Sequence, residues 1–164
     1  MRRTRLYLDT SPIIMIEPDQ DPIKRAITEE FFRIAADKSD DYELFISPVT
    51  VRELSQTTSD EKRKASFDFL STLEYTELPR NDDAENLART YITDKVLSKR
   101  HILDLTHVAY AVVFRCDYII TWNMRNLANL RTMSRVNSVN ASENYGKITI
   151  ATPEFLTGDT THEK

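Results

Sequence analysis

Glycine is nearly missing from this chain: only Gly146 and Gly158 occur in 164 residues. A dinucleotide fingerprint or a phosphate-cradling P-loop needs several glycines early in the chain, so both are excluded. Cysteine is scarcer still. Cys116 stands alone, which excludes an internal disulfide and a cysteine-based zinc site and makes a reducing cytoplasm the expected compartment. No segment approaches the roughly 20 apolar residues of a membrane helix, and the longest apolar run, Val108 to Phe114, reads as a buried helix face. Met1-Arg2-Arg3-Thr4-Arg5 is basic, but the apolar stretch behind it is broken at Asp9, short of the uncharged core of about 7–15 residues of a signal peptide. Positive charge is not in excess either. A net charge of −4 argues against generic coating of nucleic acid, while leaving room for an acidic metal pocket.

What is present is an ordinary globular balance, 40% hydrophobic and 29% charged, in a chain long enough for one domain with a real core. Leu6-Tyr7-Leu8, stopping at Asp9, has the pattern of a buried strand. Asp21-Pro22 offers an N-cap and a first-turn proline to a helix ending near Ala36, with Ile23, Ile27, Phe31, Ile34 and Ala35 inward. Leu44-Phe45-Ile46 is the second strand, closed by Ser47-Pro48, and Val49 to Gln56 is helical. Thr58 and Glu61 have capping-box spacing and open a helix that turns Phe69, Leu70 and Leu73 inward. Tyr75 to Leu78 is a strand, and Asp82 and Glu85 start a helix carrying Ala84, Leu87, Ala88 and Tyr91. Ile102 to Arg115 is the most apolar helix, and Tyr118 to Thr121 is a strand. A polar helix with Met133, Val136 and Val139 inward stops at Gly146, before a last strand at Ile148-Thr149-Ile150 and a capped turn at Thr152-Pro153-Glu154.

Strands alternating with helices predict a three-layer α/β/α sandwich around a mostly parallel sheet of about five strands. Residues 1–157 form a single domain, and 158–164 a flexible polar tail; no repeat, low-complexity segment or linker interrupts them.

In such sheets ligands bind beyond the carboxyl ends of the strands. Asp9 follows the first strand, Glu53 lies within two turns of the start of the helix after the second, and Asp104 lies in the first turn of the apolar helix, three residues before His107. The strand ending at Thr121 brings Trp122 and Asn123 to the same edge. Asp9, Glu53 and Asp104 therefore make a candidate oxygen-ligand cage for Mg2+ or Mn2+, ions that accept two or three carboxylates and keep several waters. Crowded carboxylates repel one another, which is itself a reason to expect a cation.

These residues carry a resemblance. The chain is similar to the PIN domain, the fold of VapC-type toxin ribonucleases, over nearly its whole length. Leu8-Asp9-Thr10-Ser11 resembles the family's opening strand and first metal-binding aspartate. Ile46-Ser47-Pro48-Val49-Thr50-Val51-Arg52-Glu53-Leu54 resembles the segment of the second acid, and Leu103-Asp104-Leu105-Thr106-His107-Val108-Ala109 the helix of the third. Asp117 to Asn129, with Thr121-Trp122-Asn123 at its centre, resembles the strand and turn of the fourth. Val136 to Gly146 and Ile150 to Glu154 resemble the close of a bacterial subgroup. Many of these nucleases have an aspartate where this chain has Asn123, which can place a water but supplies no charge. The resemblance implies a metal-dependent endoribonuclease with Asp9, Glu53, Asp104 and Asn123 as catalytic residues, an RNA substrate, an antitoxin protein that occludes the pocket, and a homodimer.

Each residue also has a plainer reading. Asp9 can cap the following helix, Glu53 can be a surface glutamate, and Asp104 can answer the helix dipole. Thr10 and Ser11 either hold a metal-bound water or complete the turn. His107 shares a helix face with Asp104 and reads first as a hydrogen-bonded histidine of the pocket wall. Trp122 packs on the sheet edge or stacks on a base. For phosphate contact the cationic groups are Lys62-Arg63-Lys64, Lys95 with Lys99-Arg100, and Arg125 with Arg131 and Arg135, Arg125 lying nearest the pocket in sequence. Two rival functions stand beside the nuclease. One is a catalytically weak PIN-fold module that binds RNA or protein. The other is a phosphotransfer receiver, disfavoured by Pro79 after the third strand and Trp122 after the late one.

Overall fold

A computed structural model describes residues 2–160. Five parallel strands among them run β1 (Thr4–Leu8), β2 (Tyr42–Ile46), β3 (Tyr75–Glu77), β4 (Tyr118–Ile120) and β5 (Thr149–Ala151), in the order β3-β2-β1-β4-β5. The sheet is wholly parallel. Leu6 pairs with Leu44 on one side and Tyr118 on the other, so β1 is the central strand. From β1 the chain winds towards β2 and β3 and later returns to β4 and β5. The strand order thus reverses between β1 and β4, where a crevice opens at the carboxyl ends.

Both faces are covered. Tyr7, Phe45, Ile119 and Ile150 point into a core shared with α5 (Asp82–Thr93), α6 (Ile102–Val113) and α7 (Leu130–Ser142). Their neighbours Leu6, Leu8, Leu44, Ile46 and Ile120 point the other way, against α1 (Thr10–Ile14), α2 (Pro22–Asp37), α4 (Asp60–Ser71) and α8 (Glu154–Thr160). The period-two alternation of each strand makes these two cores, and each fully buried aliphatic or aromatic side chain contributes about 1.5–3 kcal/mol. α3 (Pro48–Ser55) crosses the carboxyl edge, placing Val49 in one core and Leu54 in the other.

Four sequence expectations are corrected. Ile23 is 73% exposed, because α2 meets the core only after its first turn. Ser59, not Thr58, caps α4: its Oγ accepts from the Lys62 N–H at 3.3 Å, which leaves Glu61 one position short of a capping box. α7 ends at Ser142 rather than at Gly146. Asn144 takes φ 63° there, and the Tyr145 N–H closes on the Asn140 carbonyl at 2.7 Å; asparagine tolerates this left-handed geometry nearly as glycine does. The expected tail begins as helix, since α8 reaches Thr160; 161–164 lie outside the described residues. No helix among the described residues is long and apolar enough to cross a membrane.

Candidate metal centre

β1 delivers Asp9 to the crevice, and its backbone N–H donates to the Ile120 carbonyl at 3.1 Å, tying the site to β4. The Asp9 carboxylate is almost wholly buried. Oδ1 accepts the Thr10 N–H at 2.7 Å, and Oδ2 accepts the hydroxyls of Ser11 at 3.0 Å and Thr121 at 2.6 Å. Asp9 is therefore the N-cap of α1 and a pocket carboxylate at once. Trp122 and Asn123 continue this wiring: the Trp122 N–H donates to Ser11 Oγ at 2.9 Å and the Asn123 N–H to Thr121 Oγ1 at 3.0 Å. The Trp122 ring is buried under α2, with Nε1 donating to Thr28 Oγ1 at 2.8 Å.

Glu53 reaches the same point from α3. The helix begins with a reciprocal cap, the Val49 N–H on Ser47 Oγ and the Ser47 N–H on Thr50 Oγ1, and Pro48 sits at its first position. Glu53 Oε1 accepts the Thr10 hydroxyl at 2.9 Å and also meets His107 Nε2.

His107 is the hub. It is fully buried on α6, its Nε2 3.2 Å from Asp9 Oδ1 and in contact with Glu53. Its Nδ1 lies 2.6 Å from the Tyr7 hydroxyl, which lies 2.6 Å from Ser47 Oγ. With Nε2 carrying a proton, a consistent chain runs from Ser47 through Tyr7 and His107 to the carboxylates, and each of these buried groups has a partner. Burial alone would push the His107 pKa down, but Asp9, Glu53 and Asp104 outweigh it and hold it above the ordinary value. Burial likewise pushes Glu53 up, and the bond and charge of His107 with the Thr10 hydroxyl bring it below the ordinary value. Ligating atoms of Asp9, Glu53 and His107 lie within 4.8 Å of one another, the spacing of donors around one ion.

Asp104 stands at the lip, outside that group. Its Oδ2 is 3.4 Å from Asn123 Nδ2 and 3.4 Å from His101 Nδ1. Burial, then the charge of Asp9, raise its pKa, with a smaller push from Glu53, so the field of the inner carboxylates reaches it. Asn123 Oδ1 accepts the Asn126 N–H at 3.1 Å, which turns its amide group towards Asp104. Three contributors escaped the sequence reading. Tyr7 gave no signal beyond strand alternation and Ser47 read only as a strand stop, whereas His101 stands at the same i, i+3 spacing to Asp104 as Asp104 to His107.

Two of the three cationic groups come together in space, and the third stands apart. Lys62, Arg63 and Lys64 are engaged by Asp19, Asp60 and Asp68. Arg100 Nε donates to His101 Nε2 at 3.1 Å. Arg125 lines a cleft with Lys95, Lys99, Arg131 and Arg135.

No family model and no curated protein matches the sequence. Solved structures do. A chain of VapBC2 from Rickettsia felis, bound to a DNA fragment from their promoter, matches with a TM-score of 0.59 at 13% identity, covering 91% of this chain and 98% of that one. A chain of VapBC-1 from nontypeable Haemophilus influenzae matches with a TM-score of 0.58 at 13% identity, over 92% of this chain and 99% of that one. Likeness at this identity is likeness of fold, and it extends over almost the full length of both partners. With its parallel order β3-β2-β1-β4-β5 between two helical layers, the chain has a three-layer α/β/α, PIN-like fold, similar to that of chains in these VapBC structures.

Proposed function

We propose that this chain is a divalent-metal-dependent endoribonuclease that cuts RNA phosphodiester bonds as the toxin of a toxin–antitoxin pair. The observation that carries the proposal is the buried cluster of Asp9, Glu53 and His107 at the topological switch point. Two carboxylates and an imidazole packed this closely suit a cation, and oxygen donors mixed with one ring nitrogen favour Mn2+ over Mg2+. Asp9 and Glu53 would hold the ion, Asp104 would reach it from the lip directly or through water, and His107 would either lend Nε2 or keep Glu53 oriented. A bound ion would lower the pKa of a water and offset charge growing on a phosphate oxygen.

The protein's own part is to hold donors fixed before substrate arrives. Ser11 and Thr121 clamp one oxygen of Asp9, Thr10 holds Glu53, and Tyr7 sets the rotation of the His107 ring. Such outer contacts commonly matter by 10- to 100-fold in metal affinity or activity, as order-of-magnitude figures. Asn123 acts as a positioning residue, because its carbonyl oxygen is used within its own turn and its amide faces Asp104. The antitoxin and the homodimer rest on the likeness to VapBC complexes and on the family resemblance.

One observation favours the weaker module as a second reading: His107 already supplies a proton donor to both inner carboxylates. A fluorescent RNA incubated with Mn2+ separates the two. The nuclease reading expects turnover that falls about 100-fold or more in Asp104→Asn, the scale of losing a group that answers transition-state charge. Absence of Mn2+-stimulated turnover, or equal turnover in the variant, would overturn it.

A further inference from the structure

Beside the acidic pocket lies a cleft of about 820 Å³ of opposite character. One wall is the end of α5 and the loop behind it, carrying Lys95 and Lys99; the other is the 123–129 turn and the start of α7, carrying Arg125, Arg131 and Arg135. No carboxylate lines it. None of the five cations has an ion pair or a side-chain hydrogen bond among the described residues, whereas Arg25, Arg33, Lys62, Arg63, Lys64 and Arg80 are each matched by an acid. All five side chains are exposed. In a chain of net charge −4, five unmatched cations facing one another are a local reversal of the field.

Both walls are built rather than loose. Lys95 holds φ 61°, a left-handed conformation uncommon for a side-chain-bearing residue, because the Val96 N–H closes onto the Tyr91 carbonyl at 2.9 Å. Across the cleft, Asn129 Nδ2 donates to the Met124 and Arg125 carbonyls at 3.1 Å, and the Leu127 and Ala128 N–H groups donate to the Asn123 carbonyl at 3.0 and 2.9 Å.

The walls also converge on one residue. The wall of Lys99 continues through His101, 3.4 Å from Asp104, and the wall of Arg125 begins at Asn123, also 3.4 Å from Asp104. Asp104 is therefore the hinge point between the acidic pocket and the basic cleft. We infer that the cleft is the track for the phosphodiester backbone of single-stranded RNA leading to and from the acidic pocket, an assignment that rests on the nuclease reading for its substrate. Its floor is Ile92, Val96, Leu97 and Thr132, and no aromatic ring lines it. Base stacking of the kind that single-strand binders use is absent from it, so recognition is by charge along the backbone and tolerates base sequence.

The test is binding of labelled oligouridylate and oligoadenylate to the full chain in EDTA, where no cleavage intervenes, across a salt series. Each phosphate met by a cation contributes about −0.7 to the slope of log affinity against log salt for single strands, so five contacts give about −3.5 and the double variant Arg131→Gln/Arg135→Gln about −2. Near-equal affinity for the two oligomers is expected, with a parallel loss in the variant and unchanged thermal unfolding. RNA binding that ignores the double substitution overturns the inference. So does a protein indifferent to RNA that binds polyglutamate through Arg131 and Arg135, which assigns the cleft to an acidic protein segment instead. Cleavage after Mn2+ addition is read separately. Binding without cleavage leaves the track standing and removes the nuclease; cleavage with a KM unmoved by the double variant does the reverse.

Discussion

The Tyr7 hydroxyl and His107 Nδ1 meet at 2.6 Å in the interior, joining the central strand to the apolar helix across 100 residues of sequence. Burial keeps the Tyr7 phenol protonated, its pKa pushed well up, so the hydroxyl can serve as a fixed donor or acceptor to the ring. Tyr7→Phe removes it, leaving His107 Nδ1 without a partner and Ser47 Oγ with only the Val49 N–H. The expected loss is about 1–3 kcal/mol of stability in urea unfolding, the cost of an unsatisfied buried polar group. A loss of about 10-fold in Mn2+ affinity should accompany it, since the ring rotation is no longer set.

A change at Asp104 is expected to affect metal-free stability and Mn2+ binding in opposite directions. Burial and the charge of Asp9 raise its pKa, so its ionised form is disfavoured in the folded state and weakens the metal-free fold at neutral pH. Asp104→Asn removes that penalty. Its metal-free melting temperature should equal or exceed the wild type's, while the rise in melting temperature on adding Mn2+ shrinks. A variant that melts lower and keeps the full Mn2+ response contradicts this placement.

Asn123→Asp puts a carboxylate where an amide now faces Asp104 at 3.4 Å. Without metal the two acids repel, lowering stability by about 1–4 kcal/mol, the range between bulk water and a protein surface. With Mn2+ present the order should reverse, the variant binding the ion more tightly than the wild type. Thermal unfolding of both proteins without Mn2+ and across an Mn2+ series measures both arms.

Acid stability is governed partly by Asp117, at the opposite end of β4. Burial pushes its carboxyl up, but the Arg2 guanidinium, the Arg5 N–H at 2.8 Å and the nearby charges of Arg2 and Arg5 outweigh this and hold it below the ordinary value of 3.8. A carboxyl lowered by folding contributes stability that is present above its unfolded value and is lost as pH falls through its folded one. Asp117→Asn should therefore be less stable than the wild type at neutral pH, and the gap should close as pH drops below about 3.8. Urea midpoints across a pH series read this directly.

Much of this architecture was legible because its signals are local. Asp21-Pro22 and Ser47-Pro48 mark helix starts by their own chemistry, and Leu6-Tyr7-Leu8 marks a strand covered on both faces. Asp9, Glu53 and Asp104 stood out because each follows a strand or opens a helix at the carboxyl edge. Misreadings arose where neighbouring residues compete for one job, as with Thr58 and Ser59 at a cap, or Asn144 and Gly146 at a helix end. Long-range pairings were out of reach. Nothing near His107 in sequence announces Tyr7 as its partner, or that its ring stands nearer to Asp9 and Glu53 than a pocket-wall histidine would. The basic cleft unites Lys95 and Lys99 with Arg125, Arg131 and Arg135 only because α5 and α7 pack on the same face of the sheet.

Calorimetric titration of Mn2+ into the wild type, Asp9→Asn and Glu53→Gln tests the central claim most directly, that carboxylates from β1 and α3 serve one ion. A single binding event is expected in the wild type, weakened at least about 10-fold in each variant, although the two residues stand 44 positions apart. Undiminished Mn2+ binding in both variants would contradict it.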